Sequence, residues 1–201
     1  MTSTAIFAEI LVVGLQATVW VALLCLLIAD LNGVHVGGIT ARLGALKEWA
    51  TLITTFVIGF AYTLGIIVDR IADSLWSWIN DALRSEAGEA NKKPGPSVPK
   101  KRLQIMSRDE GLTKFLEYVR SRMRIARSTS LNLVLIMITA TLLARHSGWL
   151  WVLMIIGSGS VLVIISAYVS RRIGKTYDKR LNQAYKLVED TEKTQAWARS
   201  R

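Results

Sequence analysis

What this chain can fold into is limited first by the grouping of its apolar residues. Four long apolar blocks alternate with connectors that hold nearly all of the positive charge. A helix needs roughly 20 predominantly apolar residues to cross the hydrocarbon of a bilayer. The first block runs from about Phe7 to Ala29, with Gln16 as its one strongly polar interior side chain, and the second from about Trp49 to Val68. The third has a core from Leu131 to Ala144, and the fourth extends from Trp149 to Tyr168. The third core is short and reaches span length by recruiting Ile125 to Ser130, with Arg127 snorkelling to the headgroups. The pattern predicts an all-α integral membrane four-helix bundle with amphipathic cytosolic helices. In a chain of 201 residues, four spans leave room for a small extra module and none for a large catalytic domain.

The first block is read as retained. No Lys or Arg precedes it, the N-terminus carries Glu9, and the run from Ile10 to Ala29 is too long for the apolar region of a secretory signal.

The formal net charge of +10 would suggest nucleic acid in a soluble protein. Its distribution argues otherwise. Of the 25 Lys and Arg residues, all but Arg42, Lys47 and Arg145 lie between Asp69 and Ser130 or after Ser170. Alternating spans put those two segments on one side of the membrane, and the positive-inside rule makes that side the cytosol. Both termini are therefore expected in the cytosol, with the chain in a bacterial inner (plasma) membrane and anionic lipids as partners in place of nucleic acid. Trp49, Trp76, Trp78, Trp149 and Trp151 fall near the expected borders, as amphipathic rings do at headgroup depth.

Composition divides the chain further. Residues 1–83 are the first helix pair with an interfacial extension, in which Ile71, Leu75, Trp78, Ile79 and Ala82 keep a helical period. Residues 84–108 hold all three prolines and read as a flexible Pro/Gly/Lys-rich cytosolic linker. Residues 109–170 start with a basic amphipathic helix (Leu112, Phe115, Leu116, Val119 and Met123 on one face), expected to lie on the membrane surface and turn into the third span. Residues 171–201 carry an apolar stripe at Ile173, Tyr177, Leu181, Tyr185 and Val188. Its partner is the connector helix, the tail of a second copy, or the membrane.

No metalloprotease, phosphate-loop or nucleophile-elbow motif is present, and His35 and His146 do not make a metal cluster. Cys25 reads as a small buried hydrophobe. The expectation is a protein that is not an enzyme and has no cofactor.

The most informative intramembrane pattern is on the second span. Thr51, Thr55, Gly59, Tyr62, Ile66, Asp69 and Asp73 recur at three or four residues, so most of its polar groups share one face that ends in two carboxylates. That face either packs, with hydroxyls bonded to their own helix, Gly59 allowing close approach and the carboxylates paired with Arg70 or the basic connector, or lines a hydrated path ending in a cation-favouring ring. Gln16 is helix glue or lines the same path. Gly159, Ser166 and Ser170 in the fourth span read as close packing. Arg120, Arg122, Arg124 and Arg127 form a basic cluster for anionic lipid or a cytosolic anion.

Together these features predict a homo-oligomeric membrane pore or permeabilising element with cation preference and cytosolic gating. The alternative is a non-conducting membrane scaffold or accessory subunit for a cytosolic protein partner. The charge asymmetry is tested directly by cysteine labelling of intact cells on a Cys25→Ser background. A cysteine at Ser97 should be protected and one at Ser147 labelled; external labelling at Ser97 would reverse the orientation.

Overall fold

The computed structural model describes residues 3–33, 49–86, 98–107 and 110–199. Five α-helices account for nearly all of them: α1 Ser3–Leu31, α2 Ala50–Glu86, α3 Val98–Met106, α4 Glu110–Leu143 and α5 Trp149–Arg199. Four of the five are long and apolar enough to cross a membrane, and together they form an all-α bundle. The helices end where the sequence permits. Gly33 adopts φ 73° and donates to the Asp30 carbonyl at 3.0 Å, closing α1 in a left-handed cap. A 3₁₀ turn, Ala144–His146, and Gly148 at φ 104° reverse the chain between α4 and α5.

Antiparallel neighbours bring charged ends together. Glu9 near the start of α1, Asp69 and Asp73 late in α2, and Ser121 to Arg127 in the first half of α4 meet at one end. Asp30 and Arg145 lie 3.8 Å apart at the other.

The α1–α2 crossing depends on small residues. A Cβ on Gly14 would overlap the Ala61 carbonyl, and one on Gly65 would overlap the carbonyl of Ile10. Ala17 and Ala61 are fully buried beside them. Backbones can approach this closely only where side chains are absent or minimal, which is how helices associate in lipid without a hydrophobic driving force. Gly59, expected to be the close-approach residue, has open space around it and faces outward. The helix turns the stripe Ala61, Gly65, Val68, Ala72 and Trp76 inward, so Gly59 falls off that stripe. Cys25 is also exposed, on the outward side of α1, and not buried as its apolar setting suggested.

α4 is one unbroken helix of 34 residues, and α5 one of 51. At 1.5 Å per residue they measure about 50 and 75 Å, well beyond the thickness of hydrocarbon. The basic segment before the third span therefore continues along the axis of that span, where a turn onto the membrane surface was expected. The surplus lengths pack on each other and on α3, forming a stalk. Its core is Ile105, Leu116, Tyr177, Leu181, Ala184 and Val188. The apolar stripe of the C-terminal segment thus finds its partner in the connector of the same chain.

α3 occupies the end of the segment expected to be a flexible linker. Pro99 sits in its first turn, where a fixed φ and a missing N–H cost nothing. Ile105 is 0 % exposed, and Lys101 donates to Asn182 Oδ1 at 2.7 Å. Nine residues are too few to show a period of their own, which is why the sequence did not display this helix. Of the expected linker, residues 84–86 belong to α2, and 87–97 and 108 lie outside the described residues.

Gly65→Ala should lower the thermal stability of the protein in detergent by about 1–3 kcal/mol, the range for overpacking. Gly59→Ala should be neutral or slightly stabilising. Equal effects at both positions, measured by thermal unfolding, would contradict the crossing described here.

Candidate functional site

α4 carries the polar side chains that tie the bundle together. Ser121, Arg124, Ser128 and Asn132 succeed one another at three or four residues and so share one face, turned toward α1 and α2. Ser130 and Met137 face α5.

Deep in the apolar part, Asn132 is 1 % exposed. Its Nδ2 donates to the Val13 carbonyl at 3.0 Å, and its Oδ1 accepts from Trp20 Nε1 at 3.1 Å. A buried amide in a membrane bundle is tolerated when both its ends are engaged, and this one joins α4 to two turns of α1. One turn nearer the charged end, Thr129 donates to Gln16 Oε1 at 3.0 Å. Gln16 therefore links α1 to α4. On the α5 side, the hydroxyls of Ser130 and Ser166 are 2.8 Å apart, and a Cβ on Gly159 would meet Met137 Cγ at 2.7 Å.

At the charged end the contacts become ionic. Arg124 reaches Asp69 through two nitrogens, Nε at 3.3 Å and a second, closer one, while Ser128 donates to the same carboxylate at 3.4 Å. The Asp69 side chain is 13 % exposed. Arg127 pairs with Asp73 at 2.8 Å, with 18 % of the arginine side chain and 59 % of the aspartate exposed. Arg127 thus points across to α2; it does not snorkel outward. Ser121 donates to Glu9 Oε1. The two carboxylates at the foot of α2 and two members of the basic cluster are consequently partners of each other.

The remaining arginines diverge. Arg122 stacks on the Tyr118 ring at 4.6 Å from its centroid. Arg120 lines a cavity of about 430 Å³ beneath the ion pairs, together with Arg70 of α2, Arg102 of α3, and Glu9, Asp69 and Asp73.

The upper part of α2 is plainer. Thr51, Thr55 and Gly59 are exposed, and the Thr55 hydroxyl donates to the Thr51 carbonyl at 3.0 Å. Tyr62 is half-buried, its ring stacked on Phe7 at 5.1 Å between centroids. Asp69 and Asp73 turn toward α4, but Thr51, Thr55 and Gly59 do not share their interface. Trp49, Trp78, Trp149 and Trp151 are exposed, whereas Trp76 is 9 % exposed and packs inward.

Sequence reasoning missed Glu9, Ser121, Ser128, Thr129 and Asn132 as members of this network. A signal existed: Ser121, Arg124, Ser128 and Asn132 form a polar stripe that runs without interruption from the basic segment into the third span. Comparison with protein-family models, with curated proteins and with solved structures gives no match.

Arg124→Gln leaves a carboxylate mostly removed from water without its cation, whereas Asp69→Asn/Arg124→Gln removes both charges. The double substitution should be more stable than the Arg124→Gln single, with a coupling energy of about 1 kcal/mol or more. The more exposed Asp73–Arg127 pair should couple by about 1 kcal/mol or less. Thermal unfolding of the two double-mutant cycles checks both; additive effects at Asp69 and Arg124 would contradict the pairing.

Proposed function

We propose that this protein is a non-conducting membrane scaffold, anchored by four helices in a bacterial inner membrane and presenting its stalk to a protein partner in the cytosol. The observation that carries this reading is the pairing of Asp69 with Arg124 and of Asp73 with Arg127 within one chain. A carboxylate ring favours cations through uncompensated negative charge. Here each carboxylate brings its own guanidinium, and every copy in an assembly would do the same. Adding subunits therefore does not restore the field that a cation-selective mouth requires.

The interior polar groups speak for a dry bundle. Asn132, Gln16, Thr129 and the Ser130–Ser166 pair are used between helices, and the Thr55 hydroxyl is bonded to its own helix. Such groups hold spans together in lipid, at about 0.6–2 kcal/mol per contact. Self-association is also less necessary than the sequence implied, because the α5 stripe is covered by α3 and α4.

The stalk supplies the part that a scaffold needs. It has its own apolar core, and the outward face of α5 carries Arg171, Arg172, Lys175 and Lys179, all exposed. A partner with an acidic surface fits that charge.

Planar-bilayer conductance of the purified protein, compared with Asp69→Asn/Asp73→Asn, separates the two functions. The scaffold reading expects no current from either. A cation-selective current in the parent that loses its selectivity in the double substitution would establish the pore instead. In cells, crosslinking should join the full-length protein to a partner, and substituting Gln at Arg171, Arg172, Lys175 and Lys179 should abolish that product.

A further inference from the structure

We propose that the cavity at the charged end of the bundle is a phosphate-binding site, with Arg70, Arg102 and Arg120 as its cationic ligands. They come from α2, α3 and α4, and they line one cavity of about 430 Å³. That volume is within the roughly 300–1,000 Å³ of small-molecule sites. Convergence from three helices is the main geometric fact. Side chains on one helix face share a surface through local spacing alone, but three guanidinium groups from separate helices meet only because the fold brings them there.

Their charge is available. Among the described residues, none of the three has a hydrogen bond or an ion pair, in contrast with Arg124 and Arg127 beside them. The acidic groups in the same walls are largely accounted for. Asp69 and Asp73 are balanced by Arg124 and Arg127, and Glu9 accepts a hydroxyl from Ser121. With those two pairs set aside, Arg70, Arg102 and Arg120 share the cavity with the carboxylates of Glu9 and Glu117, and Glu117 has a further partner of its own, so the balance of the walls is positive. A phosphodiester carries one negative charge and offers two oxygens in a plane that a guanidinium fork can grip. Highly charged polyphosphates match this balance less well, because the same two carboxylates repel them.

The setting matches an ester-linked phosphate at the edge of hydrocarbon. Ile6, where the first apolar helix begins, and Met123 contribute apolar wall beside the arginines. A bound phosphate would also have a structural effect. Arg102 lies on α3, beyond residues 87–97, so an anion shared by the three arginines would fasten the stalk to the foot of α2. Headgroup composition would then set how firmly the stalk is held, whatever the stalk itself carries.

The full-length protein is reconstituted in nanodiscs of phosphatidylcholine, alone or with added phosphatidylglycerol, and retained lipid is counted by native mass spectrometry. A parallel arm titrates inorganic phosphate and pyrophosphate into protein in neutral nanodiscs, followed by thermal shift. Both arms compare the parent with Arg70→Gln/Arg102→Gln/Arg120→Gln and with a control of equal charge loss, Arg171→Gln/Arg172→Gln/Lys175→Gln. The expected result is retention of phosphatidylglycerol by the parent and by the control, with affinity reduced on the order of a hundredfold in the cavity triple, since each of its three basic contacts with anionic lipid is worth about 1 kcal/mol and about 1.4 kcal/mol is a factor of ten. A thermal shift with the soluble anions that only the cavity triple loses would keep the site and assign it a soluble phosphate. Equal losses in the two triples, or no binding in either arm, would overturn it. Arg120→Gln alone, an exposed position, repeats the comparison in a background with little risk to folding and should show a smaller loss of the same kind.

Discussion

The bundle depends on the polar face of α4. In lipid, apolar side chains gain little by leaving the solvent for a neighbouring helix, so association rests on close packing and on polar groups that need one another. α4 provides both. Asn132 satisfies a backbone carbonyl and an indole on α1, Arg124 and Ser128 converge on Asp69 of α2, and Ser130 meets Ser166 of α5. One helix thereby fixes the register of the other three. The α1–α2 pair closes separately, through Gly14 and Gly65.

This arrangement connects the apolar bundle with the stalk. Because α4 and α5 run unbroken out of the apolar bundle, a change in the angle between them at Ser130 and Ser166 is carried to Leu116, Tyr177 and Leu181. Helical continuity couples the two parts: neither helix contains a proline, and Gly157, Gly159 and Gly174 of α5 lie inside an unbroken helix. The ion pairs lie where the two parts join. They tie the foot of α2 to the same segment of α4 from which the stalk begins.

Two features of the site follow from the geometry of charge in a partly dry environment. Asp69 is the more secluded carboxylate and has the fuller set of partners, two guanidinium nitrogens and a hydroxyl. Asp73 is mostly exposed and has one. The gradient matches the cost of removing a carboxylate from water, which grows with burial and must be met by more donors.

Hydropathy and charge spacing were enough to reveal four long apolar helices, the continuation of α2 past Val68 and the helical stripe of the C-terminal segment, because each is a periodic or compositional property of a long segment. The packing texture of Gly159, Ser166 and Ser170 was legible for the same reason. What covers each face was not, since helical period gives a direction around an axis and no neighbour. Gly14 and Gly65 became the crossing point, in place of Gly59, through the relative rotation of α1 and α2. Asp69 and Asp73 found Arg124 and Arg127 across more than fifty residues of chain, a pairing that no local pattern specifies. Likewise Arg70, Arg102 and Arg120 stand far apart in sequence and line one cavity only when α2, α3 and α4 are packed. The sequence by itself determined which segments are helical and which are apolar enough for lipid; tertiary structure alone decided which polar groups neutralise one another, because electrostatic pairing depends on distance in space.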